Sequence, residues 1–185
     1  MKIKNLNTLA LNIIFIVLIT ACKQNTHTTN TSFDTPNTST NSASETYTSK
    51  MTKADKKKYY NTSGNVVFEI KYKSDGFKLR TANSDLLWKI KLYENKMKIS
   101  DNEENLNPFE IKFTNTQTAK LVKNDVTLAR TSYNSDKNEQ IISAENASPE
   151  FYNQKYTPSL LVLKIPEMQD NEKQILIKEL ALKGY

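Results

Sequence analysis

One cysteine and one histidine bound the chemistry that this chain of 185 residues can carry. Cys22 is the only thiol, and a thiol serves as a nucleophile, a redox or metal group, or a point of covalent attachment. His27 is the only imidazole and lies just beyond it, in a Thr/Ser/Asn-rich stretch. The folded part therefore has no histidine for a Ser–His triad and no set of imidazoles or thiolates for zinc. Twenty Asp and Glu leave room for a carboxylate pair, but nothing in their spacing joins two of them. Three glycines leave no loop able to cradle a phosphate. Asp101-Asn102-Glu103-Glu104-Asn105 groups oxygen ligands of the kind calcium takes, yet lacks the glycine and alternate spacing of an EF-hand loop. It reads as an acidic turn. No metal and no cofactor is called for, and the expectation is a non-enzymatic protein.

The setting of Cys22 indicates how its thiol is used. Lys2 and Lys4 make a short basic start, no acid precedes Asp34, and an apolar run extends from Leu9 to Ile19, broken only by Asn12. Leu9 to Ala21 is thirteen residues, short of the roughly 18–20 needed to cross a bilayer as a helix. The pattern is that of a secretory signal with a small-residue cleavage zone at Thr20-Ala21. Ile19-Thr20-Ala21-Cys22 resembles the lipobox of bacterial lipoproteins. That resemblance implies cleavage between Ala21 and Cys22, with Cys22 becoming the lipidated first residue. A membrane-spanning helix, or an ordinary signal peptide followed by a free thiol, are the alternatives. Two or three acyl chains at about 0.8 kcal/mol per buried methylene would hold the protein durably in a membrane. The expected location is the bacterial envelope, lipid-anchored and facing the periplasm or exterior.

Composition divides the rest. Residues 24–50 contain nine Thr, five Ser and four Asn, too few apolar groups to offset the entropy of ordering. The expected organisation is a signal peptide over 1–21, a lipidated cysteine and disordered tether over 22–50, and one domain over 51–185. A tether of this length reaches roughly 30 Å. Residues 51–123 carry fifteen Lys/Arg against nine Asp/Glu, whereas residues 124–185 carry seven against nine.

The basic half repeats itself. Phe68-Glu69-Ile70-Lys71-Tyr72 returns as Trp88-Lys89-Ile90-Lys91-Leu92 and as Phe109-Glu110-Ile111-Lys112-Phe113, at steps of 20 and 21 residues. A second alternating piece follows each: Phe77-Lys78-Leu79-Arg80, Met97-Lys98-Ile99-Ser100 and Ala119-Lys120-Leu121. Period-two alternation predicts strands with one buried face, and Ser74-Asp75-Gly76, Glu94-Asn95 and Asn115 supply turns. Three hairpins in an antiparallel meander follow. Parity sends Phe68, Ile70, Tyr72, Phe77, Leu79, Trp88, Ile90, Leu92, Met97, Ile99, Phe109, Ile111 and Phe113 inward. The other face receives Lys71, Lys73, Lys78, Arg80, Lys89, Lys91, Lys98, Lys112 and Lys120 against Glu69 and Glu110. The first seven of these cations are the candidate anion-binding residues; lysines that merely solvate an open face and guard its edge are the alternative.

Val126–Thr131 and Gln140–Ala144 are further candidate strands. Thr157-Pro158 reads as an N-cap with proline at the first helical position, opening a short segment through Ile165 that Pro166 ends. The last element is a helix with Asp170 as N-cap, Lys183 in the last turn and Gly184 just after. Its apolar residues Ile175, Leu176, Ile177, Leu180, Ala181 and Leu182 cover more than one stripe, which predicts wide burial. The fold class expected is α+β, mainly antiparallel: a curled sheet or barrel packed on a buried C-terminal helix. The meander with its apolar last helix, and phrases such as GFKLRTANSDLLWKIKL, resemble the tubby-like and scramblase-like barrels. That resemblance implies a sheet of hairpins filled by a helix, and fold carries no function with it. The function expected is an envelope binding or structural module. Its partners would be the membrane through Cys22, an anionic lipid or envelope polymer, and an unidentified protein. Nucleic acid is not expected, because the aromatics point inward by parity. A tubby-like protein binding anionic headgroups on the basic face is the second reading.

Overall fold

A computed structural model describes residues 46–185. Ala21, Cys22, His27 and the apolar N-terminal run lie outside the described residues. Eleven strands follow the chain in order: β1 (Thr48–Lys53), β2 (Lys56–Tyr60), β3 (Val66–Lys73), β4 (Gly76–Thr81), β5 (Leu86–Leu92), β6 (Lys96–Ser100), β7 (Phe109–Asn115), β8 (Thr118–Lys123), β9 (Val126–Asn134), β10 (Glu139–Ala144) and β11 (Glu150–Tyr152). Each pairs antiparallel with the next in a single sheet ordered β1 to β11. A 3-10 segment at Pro158–Lys164 and the helix α1 (Asp170–Ala181) complete the fold.

Local chemistry accounts for the meander. The turn between β8 and β9 is Asn124-Asp125, both at positive φ (49° and 63°), residue types that tolerate the left-handed region and that tight hairpins require. Between β3 and β4 the chain turns through Ser74-Asp75 into Gly76, where an added Cβ would stand 2.0 Å from the Ile90 carbonyl oxygen of the next strand. Turns this short make each strand pair with the one just before it.

Alternation then sorts the side chains as the sequence predicts. Phe68, Ile70, Phe77, Leu79, Trp88, Ile90, Met97, Ile99, Phe109 and Ile111 are buried, and Tyr72, Leu92 and Phe113 are half-buried against them. Tyr59 of β2, Ile142 of β10 and Tyr152 of β11 belong to the same core, together with Leu161, Val162, Ile175, Leu176 and Leu180. Eleven strands laid flat would span roughly 48 Å, whereas α1 is only about 18 Å long. One core shared from β2 to β11 therefore requires the sheet to curl around the 3-10 segment and α1. Two contacts at the end of α1 display the curl: Glu179 bonds Tyr72 of β3, and Tyr185 stacks on Phe113 of β7 at 5.7 Å between ring centroids.

Several expectations change. The sheet curls but does not close: β1 and β11 are its two edges, so the barrel alternative is not realised. β1 and β2 lie in a stretch given no strands, and β1 begins inside the residues assigned to the tether, with Tyr47 packing edge-on against Phe68. Asp170 is the first residue of α1; its N-cap is Gln169, whose backbone N–H donates to Glu172 Oε2 at 3.2 Å. α1 ends at Ala181, so Lys183 lies beyond its last turn, which Lys178 occupies. The proline segment is a 3-10 turn over 158–164 with Thr157 at its N-cap position and Pro158 next, as expected, but the Thr157 hydroxyl donates to the Lys155 carbonyl at 3.0 Å and makes no capping bond.

Gly76→Ala forces the alanine methyl group against backbone rather than a movable side chain. Urea unfolding should show a loss of about 2–3 kcal/mol with unchanged m-value; an unchanged midpoint would mean that the β4–β5 contact is looser than described.

Candidate functional site

The outer face is built by strand register. Lys53, Lys56, Lys71, Lys78 and Lys89 lie directly opposite one another across β1 to β5. Lys91 faces Lys98 across β5 and β6, and Lys96, Lys112, Lys120 and Arg130 form a second row across β6 to β9. Like charges directly opposite in a sheet are destabilising. The register shows how the rows arise: alternation on each strand places lysine outward, and antiparallel pairing aligns them.

Carboxylates offset part of this charge. Glu103, in the loop between β6 and β7, receives Lys78 at 2.5 Å and Arg80 at 2.9 Å, and its backbone carbonyl accepts from Lys89. The Lys78 hydrogen bond, aided by the Arg80 charge, holds the Glu103 carboxyl below the usual range. Glu110 meets Lys112, Lys96 and Lys98 at 3.0, 3.1 and 3.2 Å. Its partial burial opposes ionisation, but the three ammonium groups outweigh that and bring its carboxyl down to about 2. Lys91 pairs with Asp75 at 3.4 Å, and Lys56 with Glu69 at 2.7 Å. Of the seven candidate residues, Lys78, Arg80 and Lys89 thus converge on one loop, while Lys91 and Lys98 have separate acidic partners. Lys71 and Lys73, like Lys120 and Arg130 further along, form no ion pair among the described residues.

The acidic turn 101–105 has a definite role. The Asn102 side chain accepts from the Leu106 N–H at 2.7 Å and donates to the Leu106 carbonyl at 2.9 Å, and Ser100 Oγ donates to Asn105 Oδ1 at 2.8 Å. These bonds fix the loop so that Glu103 turns back over the basic face. Among the described residues no group of three or more His, Cys, Asp or Glu is placed to hold a metal ion.

A second polar constellation, on the inner face, is invisible to simple alternation. Glu179 of α1, 1 % exposed, accepts from Tyr59 Oη at 2.5 Å, Tyr72 Oη at 2.6 Å and Lys57 Nζ at 2.7 Å. Two helical turns earlier, Glu172 accepts from Trp88 Nε1 at 2.7 Å. Both glutamates lie in the buried stripe with Ile175, Leu176 and Leu180. A pair of carboxylates seven apart within an apolar stripe is the signal that marks them. Burial first, then the adjacent Glu179 charge, raise the Tyr59 hydroxyl far above its ordinary pKa, and Tyr72 follows for the same reasons. These hydroxyls are therefore firm hydrogen-bond donors rather than activated nucleophiles, and the cluster fastens α1 to β2, β3 and β5.

No protein-family model, no characterised protein and no solved structure matches this chain. Among the described residues no helix is long and apolar enough to cross a membrane.

Two outcomes follow for the inner cluster. Glu179→Ala strands the Lys57 ammonium, only 13 % exposed at its side chain, and should cost about 3–5 kcal/mol in denaturant unfolding. A loss under 1 kcal/mol would show that the fastening matters little. The tyrosines set an alkaline limit. Tyr59 and Tyr72 are raised strongly, and burial pushes Tyr156 up to about 12, from an ordinary 10.0. The folded state keeps protons that the unfolded chain releases, so this stability is fully present below about pH 10 and is lost above it, by about 1.4 kcal/mol per pH unit for Tyr59 alone. The tyrosinate absorbance that Tyr59→Phe removes should appear only together with unfolding above pH 10; its appearance while the chain stays folded would contradict the assignment.

Proposed function

We propose that the chain is a bacterial envelope lipoprotein, anchored through Cys22, whose β domain is a non-enzymatic module that binds phosphate-bearing anions on its basic sheet face. The observation that carries the reading is the register of the lysines. Lys56, Lys71, Lys78 and Lys89 face one another on consecutive strands, an arrangement that lowers the stability of the free protein and that a bound polyvalent anion relieves. The repeat of about 20 residues is read as one hairpin unit used three times, each copy adding cations at the same outward phase. The lipobox-like ITAC would keep this face close to envelope anions, where each basic residue contributes about 1 kcal/mol next to an anionic surface.

The second reading, a tubby-like protein for anionic lipid, uses the same face. The inner side of the curl is filled by Leu161, Val162, Leu176 and Leu180, which favours recognition of a headgroup outside over carriage of acyl chains within.

The anchor and the face are tested separately. Cys22→Ala should abolish metabolic incorporation of labelled palmitate, and persistent labelling would remove the anchor from the reading. For the face, residues 22–185 made without lipid as Cys22→Ser should bind phosphatidylglycerol vesicles or inorganic polyphosphate at low salt and release them as salt rises. Lys71→Glu with Lys73→Glu should abolish capture, while Lys137→Glu with Lys155→Glu, equal in charge change but off the rows, should not. Equal losses in both pairs would reduce the effect to net charge.

A further inference from the structure

We infer that the ligand of the basic face is a linear polyphosphate-type polymer laid across the strands, and not the flat surface of a bilayer. This rests on the anion-binding reading above and names its ligand class.

The spacing comes from the sheet itself. Lys53, Lys56, Lys71, Lys78 and Lys89 occupy five successive strands at one register level, so neighbouring cations recur about every 4.8 Å across a row of roughly 19 Å. The band continues by stepping along the strands. Lys89 and Lys91 stand on β5 two residues apart, Lys91 faces Lys98, and Lys96 opens the row that runs through Lys112 and Lys120 to Arg130. Cations thus track from β1 to β9 as one staircase. A polymer with one phosphate every few ångströms matches such a track charge by charge.

Curvature separates the polymer from the membrane. The inner faces of β2 to β11 converge on one core around α1 and the 3-10 segment, so the outer face is convex. A plane meets a convex sheet along a few strands only, whereas the cations continue around nine. A flexible polymer can follow them.

The protein's own carboxylates rehearse the contact. Glu103 bridges Lys78 and Arg80 on β4 and its backbone holds Lys89 on β5, while Glu110 gathers lysines from β6 and β7. One anionic group shared between adjacent cations is the unit that a polymer would repeat. Glu103 is 45 % exposed at its side chain and hangs from a loop, so a phosphate can displace it without disturbing the sheet. Lys71 and Lys120, one in each row, have no ion-pair partner to displace among the described residues.

The test uses residues 22–185 as Cys22→Ser, titrated with tripolyphosphate, with long-chain polyphosphate and with phosphatidylglycerol vesicles at equal phosphate concentration. Affinity per phosphate should rise at least about tenfold from the short to the long chain, with a steep loss in salt, and the vesicles should bind more weakly than the long chain. Lys71→Glu and Lys120→Glu, one in each row, should each cut long-chain affinity several-fold. Each should weaken tripolyphosphate less, because the short chain spans only part of one row and can still bind the row left intact. Affinity independent of chain length, or vesicles binding as tightly as the long polymer, overturns the polymer and leaves a membrane-facing site. Binding to none of the three probes at low salt overturns the anion-binding reading itself, and with it this inference.

Discussion

The fold depends on covering one face of a wide sheet with very little material. Among the described residues, the 3-10 segment, the twelve-residue helix and a few residues beside them, Ile165, Met168 and Tyr185, oppose the inward side chains of β2 to β11. A flat sheet would leave most of those side chains in water, at about 25 cal/mol per Å² of apolar surface, so the strands bend until they share one small core. Glu179 and Glu172 set where the bend is fastened. Each is a charge taken out of water, which folds stably only because every nearby donor is aimed at it: two phenols and an ammonium at one end of α1, an indole at the other. The carboxylates therefore specify the helix's position along the sheet more sharply than leucines could.

The two faces of the sheet solve opposite problems with the same alternation. Inward, apolar side chains are forced together; outward, lysines are held apart only by strand spacing and by a few shared carboxylates. Because side chains alternate with period two, any hairpin that places aromatics inward has fixed which residues look outward. Curling follows from the inner face, and curling makes the outer face convex, so the core determines the shape that the cations present.

Much of this was legible in the sequence because the signal was periodic. Phe68 to Leu121 alternates, and the inward set fell where parity put it; of the outward set Glu69 is the departure, 3 % exposed and paired with Lys56. The misses have physical causes. β2 reads Lys-Lys-Lys-Tyr-Tyr, and Lys57 points inward with Tyr59 to meet Glu179, so a charge at a buried phase hid the strand. β1 places no residue in the core and so has no apolar pattern to find. The start of α1 differs because Gln169 and Glu172 share the capping for which Asp170 has the usual side chain. Closure into a barrel depends on the distance between β1 and β11, which no local pattern encodes. The outward phase of the lysines could be read from alternation, whereas their alignment into rows needed the register, and Glu103 reaches them only through the fold of its loop.

The place where the chain enters the sheet has a mechanical consequence. β1 is an edge strand, paired on one side only, and all its residues but Ser49 are exposed. A pull on the chain ahead of Thr48 is borne first by the Tyr47–Phe68 contact and the β1–β2 hydrogen bonds, since β1 itself places no side chain in the core. β2, locked through Tyr59 and Lys57 to α1, takes the load only after β1 has peeled away. The first strand can thus yield as a short length of slack, returning when tension falls, while the core and the outer rows from β2 onward keep their shape.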